Sequence, residues 1–198
     1  MLTLAIQAGG SSRRMGQDKA LMPFLGRPLI QHMVERLSFM ADEVIVTTNR
    51  PEAYTFLNLR LVPDLRPGRG ALGGLYTALA SASHPLVAVV ACDMPFASPG
   101  IFQHACRELT KSNAAVVIPS SAEGLEPLHA VYRRWTCLPL VEAALDAGQW
   151  KLISWFDQAD VKILKPEELV QFDPQGLAFW NLNTPEEFKL AEEKATSL

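Results

Sequence analysis

The chain has 198 residues, 48% of them hydrophobic, with 18 Lys and Arg against 21 Asp and Glu for a net charge of -3. That length suffices for one domain with a sizeable core and requires no second one. The acidic balance argues against general nucleic-acid binding, and no apolar run approaches the roughly 20 residues of a membrane span, so neither nucleic acid nor a membrane is expected as a partner and the location is expected to be cytoplasmic.

The apolar run Leu2 to Ile6 reads as a buried strand, and it empties into Gln7-Ala8-Gly9-Gly10-Ser11-Ser12-Arg13-Arg14-Met15-Gly16-Gln17-Asp18-Lys19. Gly9, Gly10 and Gly16 let the backbone fold closely around a ligand, while Arg13, Arg14 and Lys19 bring the positive charge that oxyanions need. An ordinary surface loop has a similar composition. This one leaves the C-terminal end of the first strand, where open α/β sheets place their ligands, and therefore reads as a polyphosphate cradle. It is not a Walker loop, because Gly10 and Gly16 are six apart and Gln17 follows the second glycine. Ser11 and Ser12 lie in no Gly-x-Ser-x-Gly elbow, so nothing supports covalent catalysis.

Helical spacing of Leu29, Met33, Val34 and Leu37 follows, then short apolar runs at Val44 to Thr47 and Leu59 to Val62. Gly68-Arg69-Gly70-Ala71-Leu72-Gly73 is a literal Gly-x-Gly-x-x-Gly opening a helix that carries Leu72, Leu75, Tyr76 and Leu79. A dinucleotide fingerprint needs its first glycine in the turn directly after the strand, whereas Pro63 to Pro67 intervene here, so a dehydrogenase is disfavoured. The stretch reads instead as a loop feeding a helix N-terminus, with Arg66 and Arg69 as added positive charge. The run Leu86 to Ala91 ends in Cys92-Asp93-Met94-Pro95. A turn aspartate before proline is a common structural feature. At a strand tip facing the same crevice as a cationic loop, Asp93 is better read as a ligand for Mg2+, which binds through one or two carboxylates plus substrate phosphates.

Ser98-Pro99 caps a helix bearing Ile101, Phe102, Ala105 and Leu109; Ala114 to Ile118 and Leu128 to Tyr132 read as strands, Trp135 to Leu145 as a helix and Val161 to Leu164 as a strand. Pro166-Glu167-Glu168 opens a helix, and Thr184-Pro185-Glu186-Glu187 is a capping box opening the last one. Strands apolar on both faces alternating with helices define an α/β fold. His32, His84, His104 and His129 show no partner pattern; the first three read as structural or surface residues, while His129, in the strand Leu128 to Tyr132, could either pack in the core or face a substrate. Cys92, Cys106 and Cys137 are odd in number and widely spaced, so they are expected to be reduced and structural.

Assembled, these residues resemble the molybdenum cofactor guanylyltransferases of the nucleotidyltransferase superfamily, nearly end to end. The family's opening pattern Leu-Ala-Gly-Gly-x-Ser-x-Arg-Met-Gly-x-Asp-Lys is met by Gln7 through Lys19, followed by Ala20 to Phe24 and Gly26 to Leu29. Thr48-Asn49-Arg50, Asp64, Gly70 to Leu75, Cys92 to Phe96, Pro127 to Tyr132 and Asn181 to Pro185 are similar as well. Gln7 stands where leucine is usual, and Thr47 where some members carry asparagine.

The resemblance implies a Rossmann-like three-layer fold with a mostly parallel central sheet, forming a single nucleotidyltransferase domain over residues 1–198. The nucleotide half spans about 1–110 and the acceptor half about 111–198. It implies transfer of GMP from GTP to molybdenum-molybdopterin with Mg2+ as cofactor, by a monomer whose product passes to recipient molybdoenzymes or their chaperones. Gln7, Ala8, Gly9, Gly10, Lys19, Thr47, Asp64 and Asp93 would hold the nucleotide. Arg14, Lys19 and Asp93 would act in catalysis, with Asp93 as metal ligand, and His129, Asn181 and Asn183 would line the acceptor site. The alternatives that stay open are transfer of a cytidylyl group to molybdopterin, nucleotidyl transfer to another small molecule, and a carrier that binds nucleotide or pterin without turnover.

Overall fold

A computed structural model describes residues 1–9 and 18–197. The first strand, β1 (Leu2–Gln7), is buried along its whole length. A small antiparallel ribbon of β2 (Pro23–Phe24) and β3 (Arg27–Pro28) leads into α1 (Leu29–Leu37), after which come β4 (Glu43–Thr47) and β5 (Arg60–Val62). Next are α2 (Gly70–Ser81), β6 (Leu86–Ala91) and α3 (Pro99–Lys111), the last started by Ser98, whose hydroxyl accepts from the Ile101 amide. The C-terminal part contains β7 (Val116–Ser121), β8 (Gly124–Leu125), β9 (His129–Arg133), α4 (Arg134–Asp146), β10 (Val161–Leu164), α5 (Pro166–Leu169) and α6 (Pro185–Thr196). Both expected helix-start signals operate, since Thr184 and Glu187 cap α6 reciprocally.

The main sheet runs β10-β7-β9-β6-β1-β4-β5, with β8 attached to β7. β1 is parallel to β4 and β6, β4 to β5, and β7 to β10. β9 is antiparallel to both of its neighbours, β6 and β7. Alternation along β1 divides the core into two layers. Leu4 and Ile6 join Ile30 and Met33 of α1 and Phe102 and Ala105 of α3 on one face. Ala5 joins Leu72 and Leu75 of α2 and Val141 of α4 on the other. This is the three-layer arrangement that strands apolar on both faces require. A smaller cluster of Phe24, Leu29, Phe96, Leu182, Phe188 and Ala191 seats α6 against the ribbon.

The connections out of β1 lead to β4 and β5 on one side, and the chain then returns to place β6 on β1's other side. That reversal makes the C-terminal tips of β1 and β6 a topological switch point, where loops diverge and leave a crevice. Everything that follows is set by this crevice.

Candidate active site at the switch point

Three strand tips lie side by side, because Gln7 of β1 pairs with Thr47 of β4 and Ala91 of β6. Backbone bonds carry the ladder past the strand ends: Ala8 N donates to Thr47 O at 2.8 Å, Cys92 N to Gln7 O at 3.1 Å and Thr48 N to Val62 O at 2.9 Å. The residues that follow, Gly9 and Asp93, are thus placed from rigid elements.

Lys19 reaches across the crevice to them. Its Nζ donates to Asp93 Oδ2 at 3.2 Å and to Asn183 Oδ1 at 2.8 Å. The Lys19 and Asp93 side chains are only 17% and 21% exposed, so the pair is partly desolvated and its charges are felt more strongly than at the surface. Asp18 keeps Lys19 in place. Its carboxylate accepts from the Ala20 amide at 3.1 Å, capping the single turn Lys19–Leu21, and also takes the Tyr54 hydroxyl at 2.6 Å and the Arg50 guanidinium. Burial, then the hydrogen bond to Asp18, push the Tyr54 phenol well above its ordinary range, so it stays protonated as a donor. The segment carrying Asn181 and Asn183 is fastened in turn by Leu182 N to Asp93 O at 2.9 Å.

Two adjoining cavities open here, and Gln7, Gly9 and Ala71 line both. The smaller, about 390 Å³, holds the charged groups Asp18, Lys19 and Asp93 together with Asn181 and Asn183. The larger, about 520 Å³, is lined mainly by neutral polar and small residues, among them Thr47, Thr48, Asn49, Gly74 and Thr77, with Asp64 as its carboxylate and Trp150 as its aromatic wall. Asp64 Oδ1 is held by the Arg66 amide and the Thr77 hydroxyl, each at 3.0 Å. Helix α2 begins at the seam. Arg69, its N-cap, makes no side-chain cap bond and the first turn holds no acidic residue, so its first amides and positive dipole end remain available to an anion.

The glycines of the Gly68 to Gly73 stretch have separable reasons. Gly68 and Gly70 adopt φ of +76° and +58°, and both line the larger cavity. At Gly73 a Cβ would come within 2.9 Å of Arg66 O, so close backbone approach excludes a side chain.

Of the residues expected from sequence, Gln7, Ala8, Gly9, Lys19, Thr47, Asp64, Asp93, Asn181 and Asn183 all line one or both cavities. Gly10 and Arg14, with Arg13 and Gly16, lie outside the described residues. His129 is not brought to the crevice and lines neither cavity. It is fully buried, stacked on Phe102 with ring centroids 4.0 Å apart, and its Nε2 accepts from the Ser98 amide at 3.1 Å. Burial pushes its pKa down to about 3, so it is a neutral core residue supporting the start of α3. Arg66 lines neither cavity, and its guanidinium forms partly exposed ion pairs with Glu142 and Asp146 of α4, each at 3.3 Å. Sequence reasoning missed Asp18 as the anchor of Lys19; its position one residue before a short helical turn was the available signal. It also missed Trp150, for which no local pattern exists. Cys92 lines the smaller cavity, but burial and the neighbouring Asp93 raise its pKa, which keeps the thiol protonated and inert.

This α/β architecture is shared by solved structures. Among them is 2-C-methyl-D-erythritol 4-phosphate cytidylyltransferase from Thermus thermophilus, with a TM-score of 0.66 at 17% identity over 97% of this chain and 98% of that one. The chain belongs to the MobA-like NTP transferase family, whose domain profile matches residues 4–161. It is 34% identical over 192 residues to the molybdenum cofactor guanylyltransferase of Desulfosudis oleivorans, covering 96% of this chain and 94% of that protein. It superimposes with a TM-score of 0.86 on molybdopterin-guanine dinucleotide biosynthesis protein A from Archaeoglobus fulgidus, at 28% identity over 99% of this chain and all of that one.

Proposed function

We propose that this enzyme transfers GMP from GTP to the terminal phosphate of molybdenum-molybdopterin, releasing pyrophosphate. The observation that carries the reading is Lys19, bound to Asp93 at 3.2 Å and to Asn183 at 2.8 Å, at the seam of a neutral cavity and a charged one. The nucleoside occupies the larger cavity, its triphosphate crosses the seam beside the α2 N-terminus, and the acceptor enters past Asn181 and Asn183. The nucleotide half (about 1–110) and the acceptor half (about 111–198) meet at Lys19, with Trp150 of the second half reaching over the nucleoside cavity.

A phosphate monoester is already an anionic nucleophile at neutral pH, so this chain need not supply a strong base. One acceptor oxygen forms a bond to the α-phosphorus as the bond to the bridging oxygen of the β-phosphate breaks, and the electron pair leaves with pyrophosphate. The obstacle is repulsion between two anions. Lys19 and the α2 amides offset it by presenting fixed positive charge where negative charge develops. Asp93 would hold Mg2+, whose chemistry is to neutralise phosphate oxygens. The residues fit that ion: Asp93 at the tip of β6 presents a hard carboxylate, 21% exposed, to the smaller cavity with the Asn183 amide oxygen beside it, and a Mg2+ site shared with substrate phosphates needs only one or two carboxylates. Arg14 would add charge from the glycine-rich loop.

Purified protein given Mg2+, GTP and molybdenum-loaded pterin is expected to release pyrophosphate, with CTP a poor substitute. Preference for CTP would reassign it to cytidylyl transfer, and tight GTP binding without turnover on any pterin acceptor would favour a carrier. The aromatic wall of the larger cavity gives a second expectation. Trp150 is 58% exposed, with the Arg69 guanidinium 5.4 Å from its ring centroid, which leaves ring surface available to a base. Trp150→Ala should raise the KM for GTP about fivefold to tenfold with kcat nearly unchanged, the loss typical of one base–aromatic stack. A steady-state titration of GTP checks this.

A further inference from the structure

Gln7 has a polar end that the fold leaves unused. Alternation along β1 sends Leu4 and Ile6 to the α1/α3 layer and turns Ala5 and Gln7 toward α2. An apolar side chain would suit that position, yet the chain places a carboxamide there, 7% exposed, and its Nε2 has no hydrogen-bond partner among the described residues. Leaving a buried amide unpaired is a cost that a fold does not carry without compensation. The surroundings are shaped to admit it: Gly74 stands opposite, and a Cβ there would lie only 2.7 Å from Gln7 Oε1. Gln7 also lines both cavities, at the seam where base and phosphates would separate.

We infer that the Gln7 side chain is a specificity-determining group for the nucleobase, turning its enclosed amide into the larger cavity to pair with the 6-carbonyl and N1–H edge of guanine. This rests on the reading of the larger cavity as the nucleoside site. A carboxamide carries one donor and one acceptor side by side, which matches a base edge of the same kind, whereas a phosphate offers acceptors only. The charged groups available for phosphate, Lys19 and Asp93, line the smaller cavity. An interaction through the side chain is distinct from any contact of the β1 backbone, and it gives a function to the glutamine at this position.

The test uses Gln7→Met, apolar and close to glutamine in length and shape, with Gln7→Leu, shorter and branched, as a second variant. Binding of GTP, of 2-aminopurine riboside triphosphate, which lacks the 6-carbonyl and N1–H, and of inorganic tripolyphosphate is measured by calorimetry with Mg2+. The wild type should bind GTP roughly tenfold tighter than the 2-aminopurine analogue, and both variants should erase that preference while binding tripolyphosphate unchanged. Thermal midpoints of the variants should equal or exceed the wild type, because an unpaired buried amide has been removed. An unaltered preference in the variants, or an equal weakening of tripolyphosphate, overturns the assignment. If the wild type prefers CTP to GTP, the guanylyl reading fails separately. Gln7 as a base reader then survives only if Gln7→Leu weakens CTP and spares tripolyphosphate.

Discussion

Lys19→Met and Asp93→Asn are each expected to lower kcat/KM for pyrophosphate release by on the order of 10²–10³ with the fold intact, the usual loss when one preorganised charge is removed from a site that works by charge neutralisation. The methionine keeps the length of Lys19 but removes the cation, leaving Asp93 and Asn183 without the donor they share. The asparagine keeps an acceptor for Lys19 and removes the charge that would hold Mg2+, so the Mg2+ concentration giving half-maximal activity should rise and added Mg2+ should recover part of the loss. Because the two groups touch, the double variant should lose far less than the product of the single losses. Steady-state kinetics with circular dichroism as the folding control decides this. Activity of either single variant within about threefold of wild type would dissociate the pair from the chemistry.

The second large effect concerns acid. His129 is fully buried, and its Nε2 already accepts from the Ser98 amide, so its proton sits on Nδ1, which has no partner among the described residues. Burial lowers its folded pKa to about 3. In the unfolded chain an imidazole takes a proton near pH 6.5, so between about 6.5 and 3 the unfolded state binds the extra proton. Stability is therefore complete above pH 6.5 and is lost on acidification at up to ~1.4 kcal/mol per pH unit. His32, also lowered by burial, contributes in the same direction. Glu43 acts in a lower window. Partial burial raises its pKa, but hydrogen bonds from Thr3, the Ser83 amide and hydroxyl, and Arg60 outweigh this and hold it at about 2, so its contribution is present above about 4.5 and is lost only below that.

His129→Gln, which retains an acceptor for the Ser98 amide, should remove about one proton from the slope of unfolding free energy between pH 6.5 and 4.5 and leave the steeper loss below 4.5. Urea unfolding at a series of pH values measures it. An unchanged slope would mean that the folded protein already charges His129 near neutrality.

Legibility in the sequence followed locality. The loop from Gln7 to Lys19 and Asp93 after β6 could be read because an apolar run ending in a polar tip carries its meaning within a few residues, and the strand-helix alternation did the same for the α/β class. The direction of β9 could not, because its first four residues are all buried and a run apolar on both faces carries no mark of parallel or antiparallel pairing. The same uniform burial hid which way His129 points. That Arg66 sits beside Glu142 and Asp146 was equally hidden, because only the approach of α4 brings those carboxylates to the turn after β5.

From the sequence alone came the alternation of apolar strands and amphipathic helices, the glycine-rich cationic loop, the strand-tip aspartate and the likeness to one family, because each resides in short-range pattern and residue chemistry. Only the tertiary structure decided that Lys19, Asp93 and Asn183 share one hydrogen-bonded cluster, that Trp150 walls the larger cavity, and that the Gln7 amide is buried without a partner among the described residues at the seam. Lys19 and Asn183 are 164 positions apart, and what joins them is the reversal of strand order at β1, a property of packed layers that no local stretch of sequence contains.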